Sequence, residues 1–367
     1  MNRSAKRQTG FALMLVLVAL VIAVVLGTSY LYSASIELAS TENLMDSSRA
    51  MYLAESAVNH ALYVLQSDPD SLPETEAESM GPFTIDSSGD TYRFFAVEDG
   101  PGRHLLYGLG TCGSIQRRCI AEVYSENVYK QILLGYGPVS YWRLGDTSAM
   151  TARDETGAHH GQYNNGVDLQ QAGVLVGESN RSASFDGVND YVDLGDFDIP
   201  GEGLSLVVWF CADSLTTSGG GSRDGRLICK ADALDNESHY WEISTCANDG
   251  KYRLRFRLRT GKTKDLKAQE GNLETGKWVF AVATYDGSQM YLYKDAVRVG
   301  ATSKSGDIDE EDDVPVWIGG NPAGDTARPW HGRIDEAAIF DYALSEEQIQ
   351  TLYKARTPNV DVLDWSD

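Results

Sequence analysis

The chain has 367 residues, which suggests two or three units of about 100–200 residues and room for a sizeable core in at least one of them. It carries 53 Asp and Glu against 31 Lys and Arg, a formal net charge of −22. That balance argues against nucleic acid as a partner, because phosphate backbones are gripped by basic faces. It favours solubility and divalent cations and says little about fold.

The N-terminal residues 1–10 hold Arg3, Lys6 and Arg7 and no acid, and Phe11 to Leu26 is wholly apolar. No charge follows until Glu37, so the uncharged stretch Phe11 to Ile36 has 26 residues. As a helix it is about 39 Å long, enough to cross a bilayer core with the basic flank on the cytoplasmic side. A cleaved secretory signal is one reading, with Ser33-Ala34-Ser35 as its small-residue site. A plain signal anchor is a second. A third follows from what comes next. No proline occurs before Pro69, and Leu44, Met51, Ala54, Val58, Ala61, Leu62 and Leu65 recur at helical steps. One helix from near Phe11 to about Gln66, roughly 80 Å long, is expected. A cleaved signal has no reason to continue as an amphipathic helix.

Residues 67–92 are rich in Asp, Ser, Glu, Pro and Gly and read as a loop. TYRFFAVE (91–98) reads as a strand, and HLLYGLGTCGSI (104–115) with RRCIAEVYSENV (117–128) as a hairpin. Five cysteines occur, none in a zinc-like spacing. Cys112 and Cys119 flank the hairpin segment CGSIQRRC. A disulfide there would suit an oxidising compartment; two free thiols on adjacent strands is the other reading. The odd count leaves at least one thiol unpaired, and Cys211, inside LSLVVWFCA, is the buried candidate.

From about Ile132 short runs of aromatic and β-branched residues alternate with Gly, Asp and Asn turns, which is the pattern of an all-β sandwich. YRLRFRLR (252–259) alternates strictly, with Tyr252, Leu254, Phe256 and Leu258 on one face and four arginines on the other. A sheet with one wet side is expected there. Asp286-Gly287 marks a hairpin between WVFAVATY and MYLYKD. Ser345 and Gln348 form a capping box for a closing helix with Ile349, Leu352 and Tyr353 as its apolar stripe.

Two resemblances carry the reading further. RQTGFALMLVLVALVIAVVLG resembles a type IV prepilin leader and transmembrane segment, and ENLMDSSRAMYLAESAVNHALYVL resembles the minor pilins of the PilX type and the K-type pseudopilins. Tyr107-Gly108-Leu109-Gly110 is similar to the sheet of those chains. The resemblance implies processing between Gly10 and Phe11, N-methylation of Phe11, and other pilins or pseudopilins and the membrane as partners. Most major pilins carry Glu at the fifth mature position; Leu15 stands there, which suggests a subunit that need not dock beneath another, as at a filament tip. The segments VSYWRLGD, DETGAHHGQY, SASFDGVNDYVDLG, GKWVFAVATYDGSQMYLYKD, VWIGGNP and GRIDEAAIFDYALSEEQIQTLYKA resemble a laminin-G-like jelly roll of the concanavalin-A-like lectin/glucanase superfamily, over about Pro138 to Ala355.

The expected organisation is a leader (1–10), a transmembrane and amphipathic pilin helix (11–66), a small pilin-like β region (67–131), a laminin-G-like sandwich (132–357) and a tail (358–367). The expected function is a membrane-anchored minor pilin or pseudopilin presenting an adhesion domain for an extracellular glycan or protein. Its place is the bacterial inner membrane before assembly and the pilus, periplasm or cell surface after. A structural pseudopilin of a secretion machine and a surface glycosidase are the alternatives. No E-x-D-x-x-E hydrolase pattern falls on a predicted strand, DIDEEDD (307–313) reads as a solvated loop, and His159 and His160 sit in a turn, so no catalytic residue is assigned. The laminin-G resemblance implies calcium, with two candidate blocks: Asp186, Asn189 and Asp190 in the turn of SFDGVNDYV, and Asp335 in GRIDEA, which Asp146 could meet because the first and last strands of the fold lie close; ordinary turn chemistry is the competing account. Tyr240, Trp241 and Trp330 are candidate sugar platforms, with the core as their other possible place.

Overall fold

The computed structural model describes residues 5–85, 89–100, 102–148, 150–217, 221, 223–324 and 328–366. It divides into two compact units, Met1–Ser125 with Val360–Asp367, and Glu126–Asn359. The first unit is built on α1 (Ala5–Ser67), a single continuous helix. Its strands are β1 (Met80–Thr84), β2 (Thr91–Glu98), β3 (Arg103–Cys112) and β4 (Ile115–Glu126), paired antiparallel in chain order.

The two halves of α1 differ because their side chains differ. From Met14 to Ile36 the large apolar side chains are exposed, Leu15 at 56% and Leu26 at 65%. In the second half Ala50, Ala54, Ala57, Val58 and Ala61 are fully buried against Phe94, Leu106, Ala121 and Val123 of the sheet. Leu44, expected in that stripe, stays exposed. The close approach needs glycine on the sheet. A Cβ on Gly108 would lie 2.1 Å from Ala54 O, and one on Gly110 would lie 2.0 Å from Ala50 O.

The second unit begins with α2 (Tyr129–Gly135) and holds β5 (Ser140–Trp142), β6 (Gln162–Asn164), β7 (Asp168–Gln171), β8 (Ser182–Asp186), β9 (Tyr191–Asp196), β10 (Leu204–Ala212) and β11 (Arg226–Ala231). It continues through β12 (His239–Asn248), β13 (Lys251–Thr260), β14 (Lys262–Lys267), β15 (Trp278–Tyr285), β16 (Gln289–Lys294), β17 (Val297–Ser303), β18 (Pro315–Ile318), β19 (His331–Phe340) and α3 (Glu346–Lys354). An eight-stranded antiparallel sheet runs β17-β16-β15-β10-β19-β8-β7, with β5 also on β19. A seven-stranded sheet runs β14-β13-β12-β11-β18-β9-β6. Side chains such as Leu206, Val208, Ile243, Phe256 and Ile334 fill the space between them, making the jelly-roll sandwich.

The eight-stranded sheet is buried on both faces. Val207, Trp209, Phe280 and Val282 point away from the sandwich core and pack on Tyr129 and Leu133 of α2 and Ile349 and Leu352 of α3. That is why LSLVVWFCA is apolar without alternation. The expected capping box at Ser345 and Gln348 forms, and the Asp286-Gly287 turn joins β15 to β16, with Tyr285 opposite Met290.

Two expectations meet a different structure. The arginine face of β13 is not wet: Arg255 and Arg257 are each 6% exposed, because they neutralise carboxylates laid against the same face. Residues 358–367, read as a tail, supply β20 (Asn359–Ser366), the edge strand beside β4 in the first unit's sheet. Val360 anchors it on the helix–sheet core.

Gly110→Ala is expected to wedge α1 from β3 and cost about 1–3 kcal/mol or more. Proteolysis of the full chain should then cut residues 91–126 faster while the tryptophan-rich sandwich keeps its melting curve. Unchanged protection of 91–126 would contradict the close-approach account.

Candidate binding site

The expected aromatic platforms are core. Tyr240, Trp241 and Trp330 are 2%, 0% and 0% exposed. Trp241 sits opposite Leu258 on the inner face of the seven-stranded sheet. Trp330 lies under Gly225 and meets Phe210 edge to face at 5.2 Å. Their burial corrects the platform assignment. The Cys112–Cys119 disulfide is corrected by register. Cys112 faces Ile115 and Cys119 faces Gly108 across the hairpin. They are thus about 13 Å apart along the strands, beyond the reach of a disulfide, and the five cysteines are buried and outside any disulfide.

The two blocks expected for calcium are built differently. Asp186 Oδ1 accepts from Val188 N at 2.7 Å and Asn189 N at 3.3 Å, closing the β8–β9 turn. Asn189 gives its carbonyl to Asn165 Nδ2 at 2.8 Å. In the same turn Asp190 Oδ2 accepts from Asp186 N at 3.0 Å, while its Oδ1 is buried without a hydrogen-bond partner. Burial pushes the Asp190 carboxyl up, and the Asp186 and Asp168 charges add to it. Asp335 is fully buried elsewhere, on β19. Its Oδ2 accepts from Val174 N at 2.8 Å and its Oδ1 from Asn180 Nδ2 at 3.4 Å.

Asp335 and Glu336 are neighbours in sequence and on a regular strand would point to opposite faces. A bulge in β19 opposite Val208, with Glu336 at φ +51°, turns both to one face, the one that carries Trp209 and Tyr141. Asn180 Nδ2 then reaches both, at 3.4 and 3.1 Å. Arg143 lies 3.0 Å from Glu336 Oε1, and Tyr141 OH donates to Glu336 Oε2. Burial pushes both carboxyls up, Asp335 further because Glu336 stands beside it.

The outer face of the seven-stranded sheet holds a second charged layer. Glu242, Cys229 and His239 lie with their ligand-type atoms within 4.8 Å of one another, all buried. Arg226 occupies the position a cation would take. Its Nε is 2.9 Å from Glu242 Oε2, and its Nη2 is 3.1 Å from His239 Nε2. Arg257 Nη1 and Asn321 Nδ2 approach the same ring nitrogen at 3.2 and 3.4 Å. With three donors around Nε2, His239 acts as a neutral acceptor. Burial, together with the Arg226 and Arg257 charges, lowers its pKa to about 4 against the pull of Glu242. Burial alone would raise Glu242; the Arg226 and Arg257 charges outweigh it and hold the carboxylate ionised.

A third place is open. A pocket of about 580 Å³ is lined by Asp146, Thr147, Ser148, Thr151, Arg153, Asp154, Glu155, Thr156, Gly157 and His160. Asp154, which sequence reasoning missed, organises it. Its oxygens accept from Tyr141 N, Thr156 N, Thr156 Oγ1 and His159 N at 2.8–2.9 Å. Burial opposes ionisation there, but those bonds hold the carboxyl below its usual range. The Asp154 N–H donates to His160 Nδ1 at 3.0 Å, which leaves the neutral ring's proton on Nε2. Asp146 Oδ2 is fixed by Tyr163 OH at 2.8 Å and Arg153 N at 3.3 Å. Glu155 Oε2 pairs with Lys130 Nζ at 2.6 Å. The sequence signal was the Asp, Thr and Gly of DETG, which reads equally as an ordinary turn.

The lowered His239 pKa predicts a pH slope. The folded state keeps the ring neutral, so stability present above about pH 6.5 is lost as pH falls towards 4, by on the order of 1 kcal/mol per unit. In His239→Gln, whose side-chain oxygen can replace Nε2 as acceptor, melting curves between pH 6.5 and 4 should lose this contribution. An identical slope in the variant would contradict it.

Residues 186–350 match the family model described as the concanavalin A-like lectin/glucanases superfamily. No curated protein matches the chain. Among solved structures, the chain is similar to domain 4 of AbnA, a GH43 extracellular arabinanase from Geobacillus stearothermophilus, in complex with arabinotriose. The identity is 18% and the TM-score 0.43, over 59% of this chain and 98% of that one. It is similar to the receptor binding domain of botulinum neurotoxin D at 16% identity and TM-score 0.44, over 60% of this chain and about half (52%) of that one. A SAP-like pentraxin from Limulus polyphemus matches at 17% identity and TM-score 0.37, over 46% of this chain and 80% of that one. The chain joins a long apolar N-terminal helix to a jelly-roll domain, and residues 186–350 of that domain match the concanavalin A-like family model.

Proposed function

We propose that the chain is a membrane-anchored minor pilin or pseudopilin whose jelly roll binds an extracellular glycan at the cell surface or filament tip. The observation that carries this reading is the division of α1. One uninterrupted helix is exposed and uncharged from Met14 to Ile36 and packed into a sheet through Ala50, Ala54, Ala57 and Ala61 over its last part. A stem that leaves the bilayer and becomes the spine of a small α+β unit has that form. Tyr30 and Tyr32, 75% and 72% exposed near the end of the uncharged run, suit the membrane–water boundary. The residues Gly10 and Phe11 lie within α1. The lectin-type family match over 186–350 supports a binding role for the other unit.

N-terminal sequencing of the membrane fraction should give a mature chain that starts at N-methylated Phe11. A soluble product starting near Ile36 would remove the pilin reading.

Calcium suits one of the expected places. At the β8–β9 turn, Asp186 and the unpartnered buried oxygen of Asp190 offer hard oxygen donors. Asp335 does not suit it, since both of its oxygens already accept hydrogen bonds. Chelator is expected to lower the melting temperature of the full chain in detergent; superimposable curves would remove the ion.

A further inference from the structure

We infer that the pocket beside Asp154 is the saccharide site, and that it takes uncharged sugars and rejects uronic and sialic acids. This inference rests on the glycan-binding reading above and adds to it a place and a selectivity. Nine of the ten lining residues have polar side chains, the tenth being Gly157. A sugar ring carries hydroxyls around its edge that donate and accept together, with C–H faces between them that rest on apolar surface. The pocket matches the demand of the hydroxyls. Asp146 has one oxygen locked by Tyr163 and Arg153, which aims the carboxylate without using it up. His160 offers its Nε2–H, and Ser148 and Thr151 offer hydroxyls.

A bare cation fits less well. Both Asp154 oxygens are already engaged, and one Glu155 oxygen is held by Lys130. Few carboxylate oxygens remain for an ion that wants six to eight ligands. The charge of the site sets selectivity. The lining carries Asp146, Asp154 and Glu155 against Arg153, and Lys130 pairs with Glu155, so negative charge is in excess by one. A ligand carboxylate entering there meets like charge at short range, which is a strong means of exclusion.

The test is a glycan array bearing neutral oligosaccharides and their uronic- and sialic-acid-containing counterparts, probed with the full-length protein in detergent. Three proteins are compared: the natural chain, Asp146→Asn, and Ser148→Tyr. Ser148 is exposed at the pocket, so the tyrosine fills the space without entering a core. Signal is expected on neutral glycans only, falling about tenfold or more in both variants, the loss of one charged hydrogen bond or of the space itself. Should Asp146→Asn lower the melting temperature, Ser148→Tyr alone decides. Neutral-glycan binding that survives Ser148→Tyr would move the site elsewhere and leave the glycan-binding reading standing. Preferential binding of acidic glycans would overturn the selectivity. Absence of any glycan signal would overturn the glycan reading itself.

Discussion

The sandwich depends on one buried carboxylate. Glu242 lies on the outer face of the seven-stranded sheet, where Arg226, Arg257 and the neutral ring of His239 close around it. Burying arginines on a sheet face is tolerable only if each charge is met, and removing a partner from such a layer leaves an uncompensated charge with a cost of about 3–5 kcal/mol. Ser244 Oγ at 2.9 Å and the Cys229 thiol at 3.8 Å supply further donors to the same carboxylate. The seven-stranded sheet thus has an apolar face inside and an ionic face outside, and the second lets a strand as basic as β13 sit one place in from the sheet's edge.

Lys230 extends the same logic to the loops. Its ammonium is buried on β11 and is taken up by Asp198 Oδ1 at 2.5 Å, Phe197 O at 3.0 Å and Glu311 O at 2.9 Å. The acidic stretch around Asp309 to Asp313 is therefore tied down rather than free. Arg259 binds Asp309 at 2.9 Å, and Ile308 is buried. Part of the strong negative charge of the chain is matched locally by cations that face inward.

Elements set by periodicity were legible before the fold was seen. The helix to Gln66, the strands around Trp209, Phe256 and Phe280, the Asp286-Gly287 turn and the Ser345 capping box each follow from local pattern. What the sequence hid depends on which faces meet. An aromatic at Trp241 or Trp330 is apolar wherever it points, so alternation could not tell platform from core. The arginines of β13 looked solvent-facing because the carboxylate that receives Arg257 lies on the neighbouring strand. The turn of Asp335 and Glu336 to one face of the sheet needs a bulge that neither residue announces. Asp154 organises a pocket through four backbone and hydroxyl donors, an arrangement that exists only once the loop has closed.

The placement of β20 has a consequence for synthesis. The sheet that holds the spine helix takes its fifth strand from residues that follow the sandwich, and Asn127 and Arg356, near the two ends of the sandwich unit, are joined by a 3.2 Å hydrogen bond. The sandwich is thus an insert in the first unit, entered after β4 and left just before β20. On the ribosome, where domains fold as they emerge, the inserted unit is complete before the unit that hosts it. The spine must wait, with the β4 edge open, until translation delivers the final strand.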